Sequence, residues 1–117
     1  VFLISHKDNP YPYFLVSNLY VMPSLYEGCP NSIIEATALN LPVLSSNCNS
    51  GPKEILLNGR GGLFFEKKNY IELANKIELF IKNKKVFLKK MKIAKQNIFR
   101  FQEKKILKDF MKIFNNI

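Results

Sequence analysis

Residues 24–36, Ser24-Leu25-Tyr26-Glu27-Gly28-Cys29-Pro30-Asn31-Ser32-Ile33-Ile34-Glu35-Ala36, decide how the rest of this chain is read. The run Leu19–Pro23 ahead of them does not alternate polar with apolar residues, which predicts a strand buried on both faces. Asn31–Leu39 predicts a helix, stopped by Asn40 and by Pro42, whose ring disfavours helical geometry at the residue before it. The stretch therefore spans a strand end, a loop and a helix start. In open α/β sheets ligands bind at this place, beyond the carboxyl ends of the strands. The unpaired N–H groups of a helix's first turn, with the positive end of its dipole, suit a phosphate. Gly28 has no Cβ, so the backbone there can approach a ligand closely.

Two carboxylates bracket the helix start, Glu27 in the loop and Glu35 one to two turns into the helix, with seven residues between them. Either would repel a phosphate that it touched, so their natural partners are neutral donors such as sugar hydroxyls. A second reading of Glu35 stands beside this one. Ser32-Ile33-Ile34-Glu35 matches the capping box, in which the glutamate only satisfies a backbone N–H at the helix start.

Working outward, short apolar runs alternate with amphipathic stretches, the pattern of βα units around a parallel sheet. Val1–Ser5 predicts a strand, and Pro12–Asn18 a short helix after the turn-forming Asp8-Asn9-Pro10. Pro42–Ser46 opens the next strand, Gly51–Leu57 is a short helix, residues 58–62 form a turn, and Gly62–Glu66 is a last strand. The expected order is βαβαβαβ. From Asn69 the apolar residues Ile71, Leu73, Ala74, Ile77, Phe80 and Ile81 recur at helical spacing. Amphipathic helices follow around Lys85–Phe99 and Gln102–Asn115, and the three are expected to pack on the sheet edge or on another domain. The fold class predicted is α/β: a Rossmann-like parallel sheet in residues 1–81, followed by basic C-terminal helices in residues 82–117 of the same domain.

Composition limits the function classes. The 117 residues are 47% apolar and 23% charged, a globular balance rather than a disordered or fibrous one. No run reaches the roughly 20 apolar residues that a membrane span requires, and no leader pattern precedes a cleavage site, so a cytoplasmic location is expected. Cys29 and Cys48 have neither zinc-site spacing nor disulfide density, and His6 is the only histidine, so free thiols and no metal are expected. The chain opens on Val1 in what reads as a strand, so a preceding N-terminal part is expected.

Glu27 and Glu35 with their intervening residues resemble the Glu-x7-Glu signature of retaining, GT4-like (group 1) glycosyltransferases of GT-B architecture. Neighbouring residues extend the resemblance over residues 1–81: Asn9-Pro10-Tyr11, Pro23-Ser24, Tyr26-Glu27-Gly28, Glu35-Ala36, Leu41-Pro42-Val43, Ser50-Gly51-Pro52 with Glu54-Ile55, and the turn from Gly59 to Gly62. The resemblance implies the C-terminal half of a GT-B fold that binds a nucleoside-diphosphate sugar as donor substrate, with no separate cofactor. It implies that Glu27 meets donor-sugar hydroxyls and that the amides near Gly28, Cys29, Pro30, Asn31 and Ser32 hold the sugar and diphosphate. Glu35 would bind the ribose, and Ser5, His6 and Lys7 would lie against the nucleobase. The loop of Ser5, His6 and Lys7 reads equally as a solvated one. The implied chemistry is substitution at the anomeric carbon with retention, and no catalytic nucleophile is assigned. A glycan or lipid-linked acceptor would be held by a preceding N-terminal domain, and the Arg/Lys pair that neutralises the diphosphate would also lie upstream of Val1. Residues 1–117 alone are therefore expected to be inactive. Cys29 stands where a bulkier apolar residue is common, and Lys53 is the only nearby cation the sequence offers.

Two other classes compete. A non-catalytic Rossmann-like module that holds a nucleotide or phosphate would show the same helix start. A dinucleotide-dependent dehydrogenase would need Gly-x-Gly-x-x-Gly after a strand, which is missing. The basic tail adds its own alternatives. Residues 1–81 carry six Lys/Arg against seven Asp/Glu, whereas residues 82–117 carry twelve against two. A solvated face, a peripheral contact at the inner face of the membrane, and a nucleic-acid patch all fit such charge, and the last lacks any reader motif.

Overall fold

The computed structural model describes residues 1–114, with side chains to Lys112. Its centre is a three-stranded parallel sheet in the order β1-β2-β3, formed by Tyr20–Met22, Val43–Ser46 and Leu63–Phe65. Tyr20 pairs with Val43 and Met22 with Ser45, while Leu44 pairs with Leu63 and Ser46 with Phe65. Parallel neighbours need crossovers. α2 (Asn31–Ala38) supplies the first, and the second runs through α3 (Pro52–Ile55) and a short 3₁₀ turn at Leu57–Gly59. α1 (Tyr11–Val16) precedes β1, and α4 (Tyr70–Lys82), α5 (Lys84–Asn97) and α6 (Glu103–Phe114) follow β3. A 3₁₀ turn at Ile98–Phe101 joins the last two.

Burial explains the layering. Every residue of β2 is buried, as a central strand covered on both faces requires. Ile33 and Ala36 of α2 close over it with Met22, Leu41, Val43, Ile55 and Leu56. Phe87, Met91 and Ala94 of α5 are buried on one helical face, and the Phe87 ring meets Phe80 of α4 edge-on at 5.1 Å. Close approach of α5 to the sheet depends on a small residue, because a Cβ on Gly61 would lie 2.8 Å from that of Ala94. The polar ties agree: Lys95 Nζ donates to the Ala38 carbonyl at 2.9 Å and to Asn40 Oδ1 at 2.8 Å.

Three expectations are corrected. Val1–Ser5 is not a strand; no sheet pairing or hydrogen bond among the described residues involves it, and Phe2 and Leu3 are almost fully exposed. Strand-like composition cannot form a strand without a neighbouring ladder to take its N–H and C=O groups. The order among the described residues is therefore αβαβαβ before the three long helices. β1 is not buried on both faces: Tyr20 and Val21 are half-buried and only Met22 is buried, and among the described residues β1 stands at the edge of the sheet. The last helix ends its described part at Phe114, so the predicted end at Asn115 lies outside the described residues. Of the two partners expected for the last helix, the sheet edge is not the main one among the described residues: α6 meets chiefly the Ile98–Phe101 turn, with Ile106, Leu107 and Met111 about half exposed.

Candidate functional site

The loop from Pro23 to Pro30 leaves the carboxyl end of β1 and enters α2 at Asn31. Proline at the N-cap explains where the helix begins. Pro30 has φ −73° and ψ 106°, extended geometry that its ring permits, and it makes no side-chain cap. Ser32 is thus the second helical residue and not the cap, and the capping-box reading of Ser32 with Glu35 does not hold. The amides of Asn31 and Ser32 take no partner among the described residues, whereas the Ile33 amide donates to the Pro30 carbonyl at 3.1 Å.

Glu27 lies in the loop and Glu35 in the second turn of α2, as expected, and both are half-buried. Glu35 does not turn into the sheet. Its Oε1 accepts from the Tyr11 hydroxyl at 3.4 Å, which brings α1 to the edge of the site. Tyr11 is in turn set by Asn9, whose Oδ1 accepts from the Tyr11 amide at 3.1 Å. The Asn9-Pro10-Tyr11 stretch therefore positions a side chain on Glu35, across 24 positions of sequence that no local spacing rule connects.

Loop 24–30 is held from β2 and the segment after it. Ser46 Oγ, buried at the end of β2, donates to the Ser24 carbonyl, and the buried Cys48 thiol lies 3.4 Å from the same oxygen. Ser50 Oγ donates to the Glu27 carbonyl at 2.7 Å. Gly51 packs against Gly28 so closely that a Cβ would fall 1.8 Å from the Gly28 oxygen. These tethers link residues more than twenty positions apart, and no local pattern in the sequence announces them.

The cations of this region also differ from expectation. Lys53 lines a cavity of about 340 Å³ with Asn47, Asn58 and Phe64. Lys67 lies over the Tyr26 ring at 5.3 Å, and Leu25, Tyr26, Lys67 and Lys68 line a second cavity of about 230 Å³ beside the Glu27 loop. Lys53 is therefore not the only cation near the site. Neither glutamate lines either cavity. Cys29 is exposed and Cys48 buried, both as free thiols. Ser5, His6 and Lys7 are exposed; His6 Nε2 faces Asp8 at 3.6 Å, and no hydrogen bond ties the three to α2.

Residues 1–101 match the family described as glycosyl transferases group 1. An uncharacterized glycosyltransferase of Methanocaldococcus jannaschii is 50% identical over 56 residues, 48% of this chain and 14% of that protein. N,N'-diacetylbacillosaminyl-diphospho-undecaprenol alpha-1,3-N-acetylgalactosaminyltransferase of Campylobacter jejuni is 31% identical over 100 residues, 86% of this chain and 26% of its own. Among solved structures TarM superposes with a TM-score of 0.81 at 27% identity, over 97% of this chain and 23% of that one. This chain thus spans about a quarter or less of those proteins. The structural neighbours are GT-B glycosyltransferases, and with its α/β fold and a match over residues 1–101 the chain belongs to the glycosyl transferases group 1 family.

Proposed function

We propose that this chain forms the part of a retaining, GT4-like glycosyltransferase that binds a nucleoside-diphosphate sugar. The observation that carries the reading is the β1–α2 connection. It places Glu27 at the carboxyl end of the sheet, Glu35 in the second turn of α2, and the uncapped amides of Asn31 and Ser32 between them. Those amides and the dipole of α2 suit a diphosphate, and the carboxylates suit the hydroxyls on either side of it. In this reading Glu27 holds the donor sugar, Glu35 holds the ribose, and Tyr11 keeps the Glu35 side chain in place. Ser5, His6 and Lys7 lie against the base. Glu27 orients the sugar and is not a nucleophile.

The acceptor in this reading is a glycan or a lipid-linked sugar, bound mainly by residues outside this chain. The Campylobacter jejuni relative, named for an undecaprenol-linked acceptor, supports the lipid-linked class. Such an acceptor places the enzyme at the inner face of the membrane, in peripheral contact through the basic helices. The deciding experiment takes the whole protein that contains this chain through a panel of nucleotide sugars, with hydrolysis and transfer as readouts. One or two donors are expected to turn over. Binding of nucleotide without turnover of any donor would move the reading to a non-catalytic module, and no binding at all would end it.

A further inference from the structure

From Leu79 to Gln102 the chain carries eight Lys or Arg and no Asp or Glu. The fold divides these cations into two groups. Lys84 Nζ donates to Asn18 Oδ1 at 3.0 Å, Lys90 Nζ to the Gly59 carbonyl, and Lys95 Nζ to Ala38 and Asn40. Lys82 pairs with Glu78 at 3.2 Å, and Arg100 donates to the carbonyls of Asn97 and Glu54. All but Lys82, whose pair lies within α4, fasten the helices to the body. Lys85, Lys89 and Lys92 are exposed and have no hydrogen-bond or ion-pair partner among the described residues.

Spacings of four and three put those three ammonium groups in one stripe on α5, facing away from the buried Phe87, Met91 and Ala94. Beside the stripe Val86 and Ile93 line a groove of about 410 Å³ with Lys89, Lys90 and Arg60. Arg60 is exposed and its guanidinium is likewise without a partner among the described residues. Cations therefore border an apolar strip, in a stretch of chain that offers no acid to neutralise them.

We propose that this face of α5, with Arg60, docks on an anionic lipid surface. Phosphate headgroups would meet Lys85, Lys89, Lys92 and Arg60, while Val86 and Ile93 would lie against the glycerol and first methylenes. A nucleic acid would satisfy the charges but not the apolar strip, and no aromatic side chain lines the groove to stack a base. On α6, by contrast, Lys105 and Lys112 both face Asp109, and Glu103 adds a second acid to that helix. Arg60 precedes β3, so the groove lies toward the amino end of that strand. The Glu27 loop lies at the carboxyl end, and docking leaves it uncovered. The inference rests on the lipid-linked reading for its purpose only, and its test uses no acceptor.

Flotation of the whole protein with vesicles of phosphatidylcholine, with and without phosphatidylglycerol, reads the contact directly. Binding should need the anionic lipid and weaken steeply with salt, because the attraction is screened over about 8 to 10 Å. Each lysine near the surface contributes about fivefold in partitioning, so Lys85→Gln, Lys89→Gln and Lys92→Gln together should lower it about a hundredfold. The same number of changes on α6, at Lys104, Lys108 and Lys112, should lower it by less than about fivefold. Ile93→Asp should weaken flotation as well, with circular dichroism checking that each variant folds. Equal flotation on both vesicle types, equal loss from the α5 and α6 sets, or displacement by duplex DNA at matched phosphate would each overturn the proposal. Nucleotide binding measured in parallel should stay unchanged in the α5 variant, so failure of the donor site and failure of the lipid face are separate results.

Discussion

Gly51→Ala tests whether the Glu27 loop is positioned from across the sheet. A Cβ at Gly51 would lie 1.8 Å from the Gly28 oxygen, 2.8 Å from the Gly28 carbonyl carbon and 2.7 Å from Pro30 Cδ. Real Cβ contacts do not fall below 3.0 Å, so the two loops must part by about 1.2 Å. No side-chain rotation relieves the clash, because the nearest atoms belong to backbone and to a proline ring. The parting would stretch the bond from Ser50 Oγ to the Glu27 carbonyl, now 2.7 Å, and shift both Glu27 and the first turn of α2. Overpacking of this kind costs about 1 to 3 kcal/mol of stability. A displacement near 1 Å at a substrate-positioning group costs about a hundredfold in rate. In the whole protein we expect kcat/KM for the preferred donor to fall by about that factor, with a lower thermal midpoint. Ser50→Ala removes the tether without the clash, so its effect should be smaller. If Gly51→Ala keeps kcat/KM within about threefold of wild type at an unchanged midpoint, the loop is not set by this contact.

Glu35→Gln should weaken binding of free nucleoside diphosphate by about 1.5 to 3 kcal/mol, whereas Glu27→Gln should spare it and reduce only sugar-dependent binding. Calorimetric titration with nucleotide and with nucleotide sugar separates the two, and equal losses on free nucleotide would refute the assigned roles. Phe87→Ala should cost about 3 to 5 kcal/mol, because the ring is fully buried against Phe80, and denaturant titration measures it. The hydrogen bond from Lys105 holds the Asp109 carboxyl below its ordinary range, with Lys105, Lys112 and Lys108 adding Coulombic attraction. A depressed folded-state pKa means stabilisation present above the unfolded value and lost as pH falls through the folded one. Helicity of α6 should therefore drop only in acid, and Asp109→Asn should remove that acid-side dependence when circular dichroism is followed against pH.

How much was legible depended on the range over which each signal acts. The α2 start, the Glu27 and Glu35 positions and the register of α4 and α5 follow from local rules: proline geometry, three-and-four spacing and the stop at Asn40. Val1–Ser5 misled because apolar β-branched composition reports burial or pairing in general and not the presence of a partner. Ser32 misled in a similar way. Its spacing to Glu35 fits a capping box, but Pro30 two residues earlier already takes the N-cap position.

By itself the sequence determined the α/β class, the helix that carries Glu35, the loop that carries Glu27, and the concentration of positive charge after residue 81. Each of these is written in the order and spacing of neighbouring residues. Only the tertiary structure decided that Tyr11 meets Glu35, that Ser50 and Gly51 hold the Glu27 loop, and that Lys67 reaches Tyr26. It also decided which lysines are spent on the fold and which remain on the surface. The physical reason is common to all of them. Spacing fixes which residues share a face of one element, but contacts between elements depend on how parallel strands and their crossovers bring distant segments to one end of the sheet.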